Sequence, residues 1–129
     1  MAGSGVSVGA VPAAKIDVLA AMRAARAIPV LRSPDADTAI AGARLLARGG
    51  LPVIEVTFSI PDTARVLRKL ARDPEVIVGA GTVLTPQQAT EAVMAGAQFL
   101  VSPVCPEWLG HVPLSGGLSF PLDDQLVAV

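Results

Sequence analysis

The sequence predicts an α/β protein made of about four consecutive βα units, a partial (β/α)8 barrel, followed by a tail of different character. Three observations carry that expectation. Short apolar, β-branched runs begin near residues 28, 52, 76 and 98, a nearly constant step. The longer stretches between them carry apolar residues at helical spacing. Aromatics are scarce, with three Phe, one Trp and no Tyr, so Ala, Val, Leu and Ile must build the core. That composition suits parallel strands covered by helices. Strands and helices alternating at this step indicate parallel βαβ units with right-handed crossovers. A complete barrel takes roughly 200 residues or more, and 129 residues hold about half of one.

In order along the chain, residues 1–15 read as a flexible arm, rich in Gly, Ser and Val. They lack the basic start and long apolar run of a signal peptide. Ile16, Leu19, Ala20 and Met22 to Ala24 fit one face of a short helix, with Asp17 near its start. The first strand is expected over Ala27 to Arg32. Pro34 precedes a helix from Asp35 to Arg48 carrying Ile40, Ala43, Leu45 and Leu46, and Gly49-Gly50 ends it. Pro52 to Phe58 reads as the second strand, and Pro61-Asp62 opens a helix with Val66, Leu67 and Leu70. Val76 to Val78 form the third strand, running into Gly79-Ala80-Gly81-Thr82, whose glycines suit a tight strand-to-helix turn. Thr85 is the expected N-cap of the next helix, with Pro86 at its first position and Gly96 at its end. Gln98 to Val101 make the fourth strand, closed by Ser102-Pro103.

Composition excludes several function classes. At 52% hydrophobic and 16% charged the chain is too apolar for disorder and should fold as one domain. A net charge of −1 argues against nucleic-acid or anionic-membrane partners. No apolar run approaches the ~20 residues of a membrane span. Cys105 is the single cysteine, so no intrachain disulfide is expected, in keeping with a cytoplasmic protein. No G-x-G-x-x-G or Walker pattern follows the first strand, so a nucleotide fold is unsupported.

Barrel chemistry sits at the C-terminal ends of the strands. Those ends carry Arg32, Glu55 with Thr57, Thr82 and Ser102. Glu55, inside Val-Ile-Glu-Val-Thr, is the least expected of them. An unpaired buried carboxylate is costly, so Glu55 must be paired or placed at a wet pocket. Perturbed carboxylates of that kind concentrate at functional sites, though buried ion pairs produce them too. Arg32 could equally be a solvated strand-end charge, and Thr82 a helix cap.

Four blocks then stand in order: Ile28-Pro29-Val30-Leu31-Arg32, Ile54-Glu55-Val56-Thr57-Phe58, Val78-Gly79-Ala80-Gly81-Thr82-Val83, and Ala95 to Pro103. Together, over about residues 16–103, they resemble the 2-keto-3-deoxy-6-phosphogluconate (KDPG) and 4-hydroxy-2-oxoglutarate (KHG) aldolases. The resemblance implies a (β/α)8 barrel, usually trimeric, that acts in the Entner–Doudoroff route. It implies reversible cleavage of a 2-keto-4-hydroxy acid to pyruvate and an aldehyde through a lysine Schiff base, with no metal or other cofactor. It further implies that Glu55 is the general acid/base, that Thr82 binds the pyruvyl carboxylate, that Arg32 faces the substrate and that Pro103 shapes the pocket. Many members carry arginine where this chain has Ser59, which alters any contact on the aldehyde side.

The tail, residues 104–129, departs from that pattern and is expected to be irregular, because prolines and glycines between Val104 and Gly117 interrupt any long helix. The lysines are Lys15 and Lys69, and no Lys or Arg follows Arg72. Lys15 precedes the first strand and Lys69 falls on the exposed side of a helix. Neither is the desolvated strand-end amine that Schiff-base chemistry needs. The expectation is a truncated or frame-shifted chain of weak or no activity, or a non-catalytic half-barrel that pairs with another chain. Cys105 and His111 are too few for a zinc shell and lack a third group to orient them. A half-barrel should expose its first and fourth strands and its inner face. Trp108, Leu109, Leu114, Leu118 and Phe120 are the residues available to shield the gap.

Overall fold

The computed structural model describes residues 18–103, 107–112, 119–122 and 125–128. The expected N-terminal arm, Lys15, Cys105, Leu114 and Leu118 lie outside that range. Helix α1 covers 18–25. Then follow β1 (Val30–Leu31), α2 (Ala36–Arg48), β2 (Val53–Thr57), α3 (Thr63–Ala71), β3 (Ile77–Gly81), α4 (Pro86–Met94) and β4 (Leu100–Ser102). A 3-10 helix (Glu107–His111) and strands β5 (Ser119–Leu122) and β6 (Gln125–Ala128) complete the described chain.

The helices begin and end where local chemistry directs. Asp35 caps α2 by accepting from the Thr38 amide at 2.8 Å. Thr85 caps α4 by accepting from the Gln88 amide at 3.1 Å, with Pro86 at the first helical position. Past α2, Gly50 takes φ 101°, a left-handed conformation that glycine adopts without steric cost. Gly96 does the same after α4 at φ 105°.

The sheet order is β1-β2-β3-β4-β6-β5. Its first four strands are parallel, with Val30 beside Glu55, Glu55 beside Gly79, and Ala80 beside Leu100. Side chains alternate between the two faces of each strand. On one face Ile54, Val56, Val78, Ala80 and Leu100 meet the apolar sides of α2, α3 and α4. On the other face Val53, Phe99 and Val101 meet Val18 and Met22 of α1.

The structure departs from the sequence expectations at six places. The first strand is only Val30–Leu31, because it lies at the sheet edge with pairing on one side. The inner face is not bare: α1 packs on it next to Val53, Ile28 and Ile77, near the N-terminal ends of the strands. The edge of β4 is not open, since β6 pairs with it antiparallel, Val101 beside Val127 and Ser102 beside Leu126. The tail is therefore not irregular throughout. Its breakers prevent a long helix yet permit a hairpin, with Pro121 in the outermost strand, where proline is tolerated. Trp108 and Leu109 do not plug the inner face; they join the helix-covered layer, where Leu109 is 2% exposed. Finally, Gly79 and Gly81 belong to β3 and do not form a turn.

Candidate active site

The reason for two glycines in β3 is space. A Cβ on Gly79 would lie 2.5 Å from Cγ of Phe99, so the ring occupies the room that a side chain would need. A Cβ on Gly81 would lie 2.8 Å from Cδ of Glu55 and 3.2 Å from Cβ of Val101. The Glu55 carboxylate thus rests against the bare backbone of Gly81, one residue before Thr82. Phe99 fills the lower part of the inner face, and Glu55 lies above it toward the strands' C-terminal ends.

Glu55 is the middle residue of β2 and not its last, and it is 4% exposed. Burial pushes its carboxyl pKa above the usual range, and the positive charge of Arg32 partly offsets that. A raised carboxyl pKa brings the group nearer to the neutral range in which general acid/base catalysis works best. Arg32 is exposed just beyond β1, Thr82 is half-buried just beyond β3, and Pro103 is exposed at the bend after β4. Arg32, Glu55 and Thr82 therefore belong to three adjacent parallel strands, Arg32 and Thr82 just past the ends of β1 and β3 and Glu55 two residues before the end of β2. Pro103 ends the fourth strand on the same edge of the sheet. Ser102 is fully buried in β4.

Sequence reasoning placed Thr57 at a strand end without giving it a role. In the structure its hydroxyl donates to the Leu31 carbonyl at 3.0 Å and lies 2.7 Å from the Ser59 hydroxyl. The signal available in the sequence was its two-residue offset from Glu55, which puts both on one face. Lys69, by contrast, is exposed on α3 and shares a surface cleft with Arg44, Arg48 and Arg72, outside this group. Among the described residues no group of His, Cys, Asp and Glu could hold a metal ion. No described helix is long and apolar enough to cross a membrane.

A parallel sheet with helices on its outer face and a polar rim at the strands' C-terminal ends defines part of a TIM-type α/β barrel. The family model for KDPG and KHG aldolase matches residues 18–114, past Pro103, where the four quoted blocks stop. The KHG/KDPG aldolase of Escherichia coli strain K12 is 41% identical over 99 residues, spanning 71% of this chain and 46% of that enzyme. The 2-dehydro-3-deoxy-phosphogluconate aldolase of Treponema pallidum is 39% identical, over 81% of this chain and 53% of its own length. The crystal structure of the KDPG aldolase of Zymomonas mobilis ZM4 with 3-phosphoglycerate superposes with a TM-score of 0.60 at 36% identity, covering 71% of this chain and 44% of that one. The chain belongs to the KDPG and KHG aldolase family. It spans about half the length of the curated relatives it matches.

Proposed function

We propose that this chain carries the acid–base half of a class I keto-acid aldolase site. The reaction is cleavage of 2-keto-3-deoxy-6-phosphogluconate or 4-hydroxy-2-oxoglutarate to pyruvate and an aldehyde. The observation that carries this reading is Glu55, buried on the inner face against Gly81 with its pKa raised by that burial. In the retro-aldol step Glu55 takes the proton of the substrate's C4 hydroxyl. The C4–O bond becomes a carbonyl as the C3–C4 bond breaks, and the electron pair passes to an iminium at C2. The same residue returns a proton as the resulting enamine becomes the pyruvyl imine. Thr82 donates a hydrogen bond to the pyruvyl carboxylate, Arg32 supplies positive charge at the rim, and Pro103 bounds the pocket. The iminium requires an amine, and Lys69 is exposed on α3 away from Glu55. Cleavage by this chain alone is therefore weak or nil.

Two measurements test the reading. Titrating pyruvate into the chain should shift the NMR signals of Glu55 and Thr82, and Thr82→Val should weaken that response. If pyruvate leaves both residues undisturbed, the keto-acid site is refuted. Borohydride reduction in the presence of pyruvate should leave both lysines unmodified by mass spectrometry; an adduct on Lys15 or Lys69 would show an active amine. The second reading is a non-catalytic half-barrel that pairs with another chain, as a homo-oligomer or with a complementary half. The edge of β1, which pairs on one side only among the described residues, favours it.

A further inference from the structure

Thr57 is 4% exposed and its hydroxyl is engaged on two sides. A threonine hydroxyl has one proton to give. That proton goes to the Leu31 carbonyl, so in the 2.7 Å contact with Ser59 it is Ser59 that donates. The direction of both bonds is thereby set. Thr57 is buried although Ser59 is exposed, and a bond made from a buried hydroxyl holds geometry more firmly. The strand they fasten needs fastening. β1 has two residues, pairs with β2 alone among the described residues, and ends at Leu31, directly before Arg32. Among the described residues, the charged group acting on Glu55 is Arg32. The neighbours of Glu55 on β3 and β4, Gly79, Gly81 and Val101, carry no charge.

We propose that Thr57 is a positioning residue of this site: by tying the Leu31 carbonyl to β2, it holds Arg32 within electrostatic reach of the Glu55 carboxylate. Ser59 assists by keeping the Thr57 proton aimed at Leu31. The inference deepens the acid–base reading of Glu55, yet its test reads no catalysis.

The test is a carbon-13 titration of the Glu55 carboxyl in the full chain, with the signal assigned through Glu55→Gln. Removing the positive charge with Arg32→Gln should move the Glu55 midpoint upward. Thr57→Val, nearly isosteric and uncharged, should move it in the same direction. Thr57→Ser keeps the hydroxyl and should titrate with the wild type. Adding Thr57→Val to Arg32→Gln should move the midpoint no further, because both changes remove one interaction. Should Thr57→Val not fold, Thr57→Ala makes the same comparison. The proposal is overturned if Thr57→Val and Thr57→Ala leave the midpoint in place. It is equally overturned if Thr57→Ser shifts as valine does, if Arg32→Gln has no effect, or if the two shifts simply add. A chain that fails to bind pyruvate yet shows this coupling refutes the keto-acid reading alone. A chain that binds pyruvate without the coupling refutes the Thr57 role alone.

Discussion

Glu55 combines two opposed demands, a buried position on the inner face and a charge that water would otherwise hold. Its folded pKa is raised by desolvation, with Arg32 pulling the other way. A folded-state pKa above the unfolded one means that Glu55 costs the fold nothing below the ordinary carboxylate range, and costs stability as pH rises through the raised value. Glu55→Gln should therefore leave stability nearly unchanged in acid and increase it at neutral pH, on the order of 1 kcal/mol. Denaturant unfolding at both pH values checks the sign, and equal effects at both would contradict it. Gly81→Ala tests the packing around the same carboxylate. Its Cβ would enter the space held by Glu55 and crowd Val101, so a loss of about 1–3 kcal/mol is expected, together with a displaced Glu55 titration.

At the scale of elements, the helix caps act independently of the site. Thr85→Ala removes the acceptor for the Gln88 amide and should lower stability by about 1 kcal/mol without moving the Glu55 midpoint. Asp35 behaves in the opposite sense to Glu55. Hydrogen bonds from the Thr38 backbone and side chain hold its pKa below the usual carboxylate value. Its contribution to α2 is present above the unfolded pKa and disappears as pH falls through the folded one. Asp35→Asn should flatten that acid-side loss, as a melting series between neutral and acid pH would show. The Thr85 cap was readable in the sequence because it depends on residues three apart and on nothing distant, whereas Asp35, expected as the first residue of its helix, is the cap. The strand limits were less legible. β1 shrank to two residues because an edge strand has a partner on one side only, which no local pattern reveals.

At the scale of the whole molecule, the described sheet ends in β1 on one side and in the β5–β6 hairpin on the other. The β5–β6 hairpin covers β4, while β1 has a partner on one side only among the described residues, and Val30, in register with Glu55, is 46% exposed. Exposed apolar edges of this kind recruit other chains. The chain is expected to run larger than a monomer by size-exclusion chromatography with light scattering. Val30→Lys, an inward-pointing charge on that edge strand, should shift it toward the monomer. A sharp monomer peak from the unmodified chain would show that β1 is satisfied in another way. The sequence led to open edges at both the first and fourth strands, and the hairpin corrected the second of these. Pro113, Gly116 and Gly117 excluded a long helix without indicating where Leu126-Val127-Ala128 would pair.

The βα alternation, the positions of the helices, their caps and the presence of a carboxylate among strand residues were determined by the sequence alone, since periodicity and capping are local properties. Family membership was readable too, because four ordered blocks fall on the strands and the turns that follow them. Tertiary structure decided what those residues meet. It set α1 on the inner face, turned Gly79 and Gly81 from expected turn residues into the space for Phe99 and Glu55, and joined Thr57 to Leu31 across 26 positions. Each of these is a contact between segments far apart in the chain. Such contacts depend on which faces the packed strands turn toward one another.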